Sequence, residues 1–196
     1  MDNLSLYYDM IVKKDDKVIK KYRKRKCHSF VRQFIDLLYA GCSKGVNTVI
    51  LDTSNTNRTY CVLDNSYITH DVHIMTNAPV SNATYGPQVG TGVTAVSIND
   101  YKIETIINHG IGSGQLQYSA VTFGAPTTTA AGTTFIVTRV FTNGSGNSIT
   151  INEISIVVTA GASDYLHLIV HDNLVSPVTL ANGETVTLNY TFQTTI

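Results

Sequence analysis

Glu184-Thr-Val-Thr-Leu-Asn-Tyr-Thr-Phe-Gln-Thr194 decides the fold class of this 196-residue chain. Val186, Leu188, Tyr190 and Phe192 alternate with Thr185, Thr187, Asn189, Thr191 and Gln193. Successive side chains of a strand point to opposite faces, so this period of two describes a strand with one apolar and one polar side. Asn182-Gly183, just ahead of it, is the strongest two-residue hairpin signal in the chain, and a hairpin is expected there.

Working outward, the same β character extends back to Gly45. Expected strands are Val46–Leu51, Tyr60–Leu63, Ile68–Thr76, Val93–Ile98, Ile103–Ile107, Leu116–Phe123, Thr134–Phe141, Ile149–Val158 and Tyr165–His171. Polar and glycine-rich turns separate them, among them Asp52–Arg58, Asn99-Asp100, Gly110–Gly114, Asn143–Asn147 and Gly161–Asp164. The Thr/Ala run Pro126–Thr134 is expected to be a loop. Many short strands without intervening helices indicate a mainly β fold: an antiparallel β-sandwich, jelly-roll-like, over residues 46–196.

Residues 1–45 have a different composition and are expected to form an N-terminal helical anchor. Residues 1–19 show no clear period, and a helix is expected from Lys17 to Ala40. Val18 and Tyr22 are four apart, while Phe30, Phe34, Leu37, Leu38 and Cys42 recur at helical spacings. Phe30, Val31, Phe34, Ile35, Leu37, Leu38 and Tyr39 are apolar around most of a helix, which requires burial against the β body or another subunit.

The charges are segregated along the chain. Residues 1–58 hold twelve basic and six acidic side chains, a net of +6; residues 59–196 hold two basic and eight acidic, a net of −6. Lys20, Lys21, Arg23, Lys24, Arg25 and Lys26 form the core of the basic part. Such a split suits docking between copies or a basic anchor on an acidic surface. Sequence-independent contact with phosphates is a further use open to it, and a solvated face is the bland alternative.

Other bulk features narrow the class. The hydrophobic content of 43% is enough for a core, and charged residues at 14% are few. No apolar run reaches the length of a membrane helix. Met1-Asp2-Asn3-Leu4 is not expected to begin a secretory signal. Three cysteines at irregular spacing (Cys27, Cys42, Cys61) argue for synthesis in a reducing cytoplasm.

A search for chemistry yields no active site. His167 and His171, four apart in an expected strand, face the same way and are the best metal pair, but no closed ligand set accompanies them. His70 and His73 would face opposite sides, and Cys27-His28 with Cys42 matches no zinc spacing, so Cys42 reads as a small buried hydrophobe. Gly112-Ser113-Gly114 and Gly144-Ser145-Gly146 lack the spacers of a nucleophile elbow. Gly90-x-Gly92 precedes a strand, unlike a dinucleotide loop. The acidic residues Asp64, Asp71, Asp100, Glu104, Glu153, Asp164, Asp172 and Glu184 are scattered singly. No catalytic, metal or cofactor site is expected, and the chain is expected not to be an enzyme.

Three segments carry a resemblance: Gly90–Thr105, opening with Gly-Thr-Gly and continuing through Asp-Tyr; Phe135–Ile154, with Arg139 and Glu153 either side of a Gly-Ser-Gly turn; and Asp172–Tyr190. In this order, over about residues 88–196, the chain resembles small β-sandwich structural proteins of tailed phages and related viruses. If 134–142 and 149–158 form a hairpin, Arg139 and Glu153 lie close enough for a cross-strand ion pair.

The resemblance implies a non-enzymatic virion protein made in the host cytoplasm, a symmetric homo-oligomer at the neck, the tail or on the head. Its partners would be portal, neck, tail or major capsid proteins, with no membrane and no cofactor. Lys20, Lys21, Arg23, Lys24, Arg25, Lys26, Phe30, Phe34, Leu37 and Leu38 are the expected anchoring residues. The alternative is a receptor- or carbohydrate-binding module of fibre type, using Tyr60, Tyr67, Tyr85, Tyr101, Tyr118, Tyr165 and Tyr190.

Overall fold

A computed structural model describes residues 3–27, 30–43, 48–60, 74–161 and 163–195. These residues are mainly β, with antiparallel sheets and a single short helix. In order they form β1 (Asn3–Lys14), β2 (Lys17–Lys26), α1 (Arg32–Cys42), β3 (Thr48–Leu51), β4 (Asn57–Tyr60), β5 (Gly86–Gly90), β6 (Gln117–Tyr118), β7 (Thr122–Thr129), β8 (Gly132–Thr142), β9 (Ile149–Ala160), β10 (Tyr165–Leu180) and β11 (Glu184–Thr195). The largest sheet has the order β2-β1-β11-β8-β6, with β7 also on β8; a second has the order β10-β9-β5, and β3 pairs with β4.

The basic segment is a strand, which corrects the helix expected from Lys17. Leu6, Tyr8, Met10 and Val12 of β1 are buried on one face. β1 then lies along the whole of β11, Asn3 opposite Thr195 and Lys14 opposite Glu184. Residues on either side of position 45 therefore share one sheet. The chain reverses at Asp15 and Asp16, with φ of 48° and 60°, the left-handed pair that a tight hairpin requires. Only the apolar part of the expected helix is helical, over Arg32–Cys42.

The core is one large cluster drawn from both main sheets. β8 and β11 supply Val137, Phe141, Val186, Leu188 and Tyr190, and β9 and β10 supply Ile151, Ile156, Val158, Val170, Val178 and Leu180. The polar residues of Glu184–Thr194 lie on the other face, in the alternation read from the sequence, and of these Thr191 is buried.

Both expected hairpins are crossings between sheets. β8 leaves the large sheet and β9 enters the second; β10 leaves the second and β11 returns to the first. The buried Asn143 holds the two crossings side by side. Its amide donates to Asn147 O (2.7 Å) and Leu180 O (2.9 Å), and its backbone exchanges bonds with Glu184 O and Gly183 N–H. Gly183 supplies the positive φ of 82° at the second crossing. In-sheet pairing of β8 goes to β11 instead, because that register stacks Val137 and Phe141 beside Tyr190 and Val186.

Other expectations shift. Residues 93–98 and 103–107 are irregular, and the run Pro126–Thr134 continues β7 and β8 through a turn at Ala130. β10 runs on to Leu180 by bulging around Pro177, which cannot donate to a ladder. The expected strands near 46, 61–63 and 68–76 lie wholly or partly outside the described residues, as do Cys61, His28, His70, His73, Asp64, Asp71 and Tyr67.

Candidate functional site

The β1–β2 hairpin forms one edge of the large sheet, since among the described residues β2 pairs only with β1. Lys17, Lys20, Lys21, Arg23, Lys24, Arg25 and Lys26 all lie on β2, and none of them forms an ion pair with a described residue. All but the half-buried Arg25 are exposed.

A bulge sorts these charges. Tyr22 lies opposite Met10 and Arg25 opposite Tyr8, and both β1 partners point inward. The inward positions are three apart rather than two, so Arg23 and Lys24 share the outward face opposite Asp9. Lys21, opposite Ile11, and Lys26, opposite Tyr7, face the same way. Four cations within six residues therefore stand on one face.

The strip is braced from below. Lys24 Nζ lies 4.3 Å from the Tyr7 ring centroid and donates to Gln193 Oε1 at 3.1 Å. Lys20 Nζ covers the Tyr22 ring at 4.7 Å, and the Tyr22 hydroxyl donates to Pro177 O at 3.4 Å. Asp9, the acid of this face, accepts from Asn189 Nδ2 at 3.0 Å.

The expected apolar anchors divide between core and surface. Leu37 is fully buried, and the Phe30 and Phe34 rings stack 4.3 Å apart against the core. Leu38 faces out, with Ile35 and Tyr39. Cys42 is exposed, not buried as expected, because the helix ends there with its inward face already spent on Gln33, Leu37 and Ala40.

His167 and His171 do not meet. A bulge between Leu168 and Val170 turns the strand over, placing the two rings on opposite faces. His167 Nδ1 donates to Leu51 O (2.9 Å), leaving Nε2 to accept from the Tyr60 hydroxyl (2.5 Å). Burial lowers the pKa of His167, the state this pattern demands. His171 instead lies between two carboxylates, Nδ1 2.8 Å from Asp100 and Nε2 2.9 Å from Glu153.

Glu153, fully buried, also accepts the backbone N–H groups of Gly92 (2.8 Å), Glu104 (3.0 Å) and Thr105 (2.8 Å). Burial opposes its charge, but His171 and these amides outweigh that and hold its carboxyl below the ordinary range. For His171, burial pulls the pKa down and the Glu153 and Asp100 bonds raise it above its usual value. With both ring nitrogens engaged, the imidazolium works as a clasp that fastens the 91–105 segment to β9 and β10. A cavity of about 320 Å³ opens above it, lined by Thr94, Asn99, Asp100, Tyr101, Lys102 and Glu104.

Arg139 does not pair with Glu153. The two belong to different sheets. Arg139 is fully buried and donates to Ser119 O (3.0 Å), Tyr85 O (3.0 Å), Pro87 O (3.1 Å), Pro79 O (3.4 Å) and Asn82 O. Its guanidinium lies 4.7 Å from the Tyr118 ring centroid. Burial brings its pKa down to about 10, still well charged at neutral pH. Tyr60, Tyr118 and Tyr190 are buried, which withdraws them from any exposed stacking surface.

Comparisons with protein-family models, with curated proteins and with solved structures find no match to this chain.

Proposed function

We propose that this chain is a non-enzymatic structural protein of a tailed-virus particle, a β-sandwich of jelly-roll type that assembles as a symmetric oligomer and is anchored by its basic N-terminal hairpin. The observation that carries the reading is the edge strand β2, with seven cations and no ion pair among the described residues. A charged edge of this kind resists pairing with its own kind while offering a docking surface to an acidic partner.

Two further features support it. The buried histidines have both ring nitrogens occupied by structural partners, which suits a chemically idle body. Ile35, Leu38 and Tyr39 leave an apolar helix face open beside the body, a surface that subunit contact would cover.

Light scattering of the purified protein at low and high salt tests the reading. A closed oligomer at low salt is expected, its order separating a ring at the neck or tail from a trimeric decoration. A monomer at both salts that also fails to join particles counts against it.

A further inference from the structure

We infer that the outward strip Lys21, Arg23, Lys24 and Lys26 binds the phosphate backbone of duplex nucleic acid without reading its sequence. The inference rests on the anchoring reading above and gives that anchor its partner.

Because of the bulge, residues 21–26 lie opposite only residues 7–11 of β1 and span about 13 Å, a length of helix axis along which each strand of a duplex carries about four phosphates. The bulge at Arg23 and Lys24 concentrates four cations along that length, where regular alternation would have divided them between faces. On the same face, beyond β1, the half-buried Thr187, Asn189 and Gln193 of β11 carry hydroxyl and amide groups of the kind that contact phosphates and sugars.

Three observations select among anionic partners. Lys24 covers the Tyr7 ring and Lys20 the Tyr22 ring, so neither aromatic is open as a stacking platform for single-stranded bases. No base-reading element projects from the strip; its groups are point charges on a flat sheet. An acidic peptide would have to add to the β2 edge to gain main-chain bonds. The lysines and the two register irregularities of this hairpin both disfavour strand addition.

The test is anisotropy of a labelled mixed-sequence 20-base-pair duplex with the full chain, between 50 and 200 mM salt. Four phosphate contacts predict a slope of log K against log salt of about −3.6. The triple variant K21Q/R23Q/K24Q should reduce the slope to about −0.9 and weaken binding by about tenfold or more at 50 mM. K14Q/K17Q/K20Q removes the same charge from the hairpin tip and its other side, and should leave binding within about threefold.

Equal losses in the two triples, or no duplex binding at 50 mM salt, would overturn the inference. So would a poly-Glu peptide that binds more tightly than the duplex at equal charge, which assigns the strip to an acidic protein. If the strip triple fails to fold by circular dichroism, R23Q alone should still change the slope by about 0.9. Light scattering of each variant keeps the two readings apart: lost duplex binding with unchanged oligomer mass overturns this inference alone.

Discussion

Glu153 and His171 lie on neighbouring strands, with the carboxylate Oε2 2.9 Å from Nε2, and both are buried. A buried pair of this kind is fragile in one direction. Keeping both charges satisfies both, while removing one leaves the other buried without that counter-charge.

E153Q should therefore destabilise the protein by about 3–5 kcal/mol, since the imidazolium and three backbone amides lose an anionic acceptor. Urea unfolding measures the total. Hydrogen exchange should show the amides of Gly92, Glu104 and Thr105 opening well before those of β9. Uniform exposure of both regions would mean that Glu153 supports the whole body and not the 91–105 segment.

The same clasp sets a pH dependence. The folded pKa of His171 is raised, so its stabilisation is complete below its ordinary value of 6.5 and is lost as pH rises through the folded value. That of Glu153 is lowered, so its share is complete above 4.5 and is lost as pH falls through its folded value. His167 runs the other way from His171, costing stability as pH falls below 6.5. The stability difference between wild type and H171Q cancels the His167 contribution. It should be largest between about pH 4.5 and 6.5 and shrink on the alkaline side. A difference that grows with alkalinity would contradict the charged clasp.

Arg139 tests a different arrangement. Its donors spread over five carbonyls of the 79–87 segment and Ser119, a fan that a single ammonium cannot reproduce. R139K should cost at least about 2 kcal/mol, and R139M more, because buried carbonyls are left without donors. Thermal unfolding of the two variants gives the order.

On α1, two adjacent residues separate folding from docking. L37D places an unpaired charge in the core and should cost more than about 3 kcal/mol. L38D, on the exposed side, should stay within about 0.5 kcal/mol of wild type while weakening the oligomer. Chemical unfolding and light scattering read the two effects separately.

The hairpin turn can be improved. Asp15 and Asp16 both occupy left-handed backbone, which costs a residue with a Cβ about 1–2 kcal/mol. D15N/D16G should relieve about 1 kcal/mol and slow hydrogen exchange along β2. Faster exchange there would show that the aspartates hold the turn by other means.

Strands whose apolar and polar residues alternate cleanly were legible in the sequence. β11 lies close to its expected bounds for that reason, and β8 and β9 do so through runs rich in Val, Ile, Phe and Thr bounded by turns. β1 was not legible, because Tyr7 and Ile11 put apolar side chains on its outer face and blur the alternation of Leu6, Tyr8, Met10 and Val12. In β2 the four-residue spacing of Val18 and Tyr22 imitates a helix, and the residues that make it a strand belong to β1 and, beyond it, β11. The outward strip was hidden for a related reason: a bulge is visible only once the register is known. The clasp joins Asp100, Glu153 and His171 through a turned-over stretch of β10, and no local pattern announces such a meeting. Arg139 and Glu153 were both singled out from the sequence, but as partners, and the assignment of β8 and β9 to different sheets separates them.

The pairing of β1 with β11 also has a consequence for synthesis. The basic hairpin leaves the ribosome early, yet the strand it must lie against is translated about 170 residues later, a delay on the order of 10–30 s at ordinary elongation rates. Through that interval Leu6, Tyr8, Met10 and Val12 have no sheet to cover them. A nascent chain stopped before residue 184 cannot seat its cationic edge at all, so placement of that edge reports that the chain has been read through.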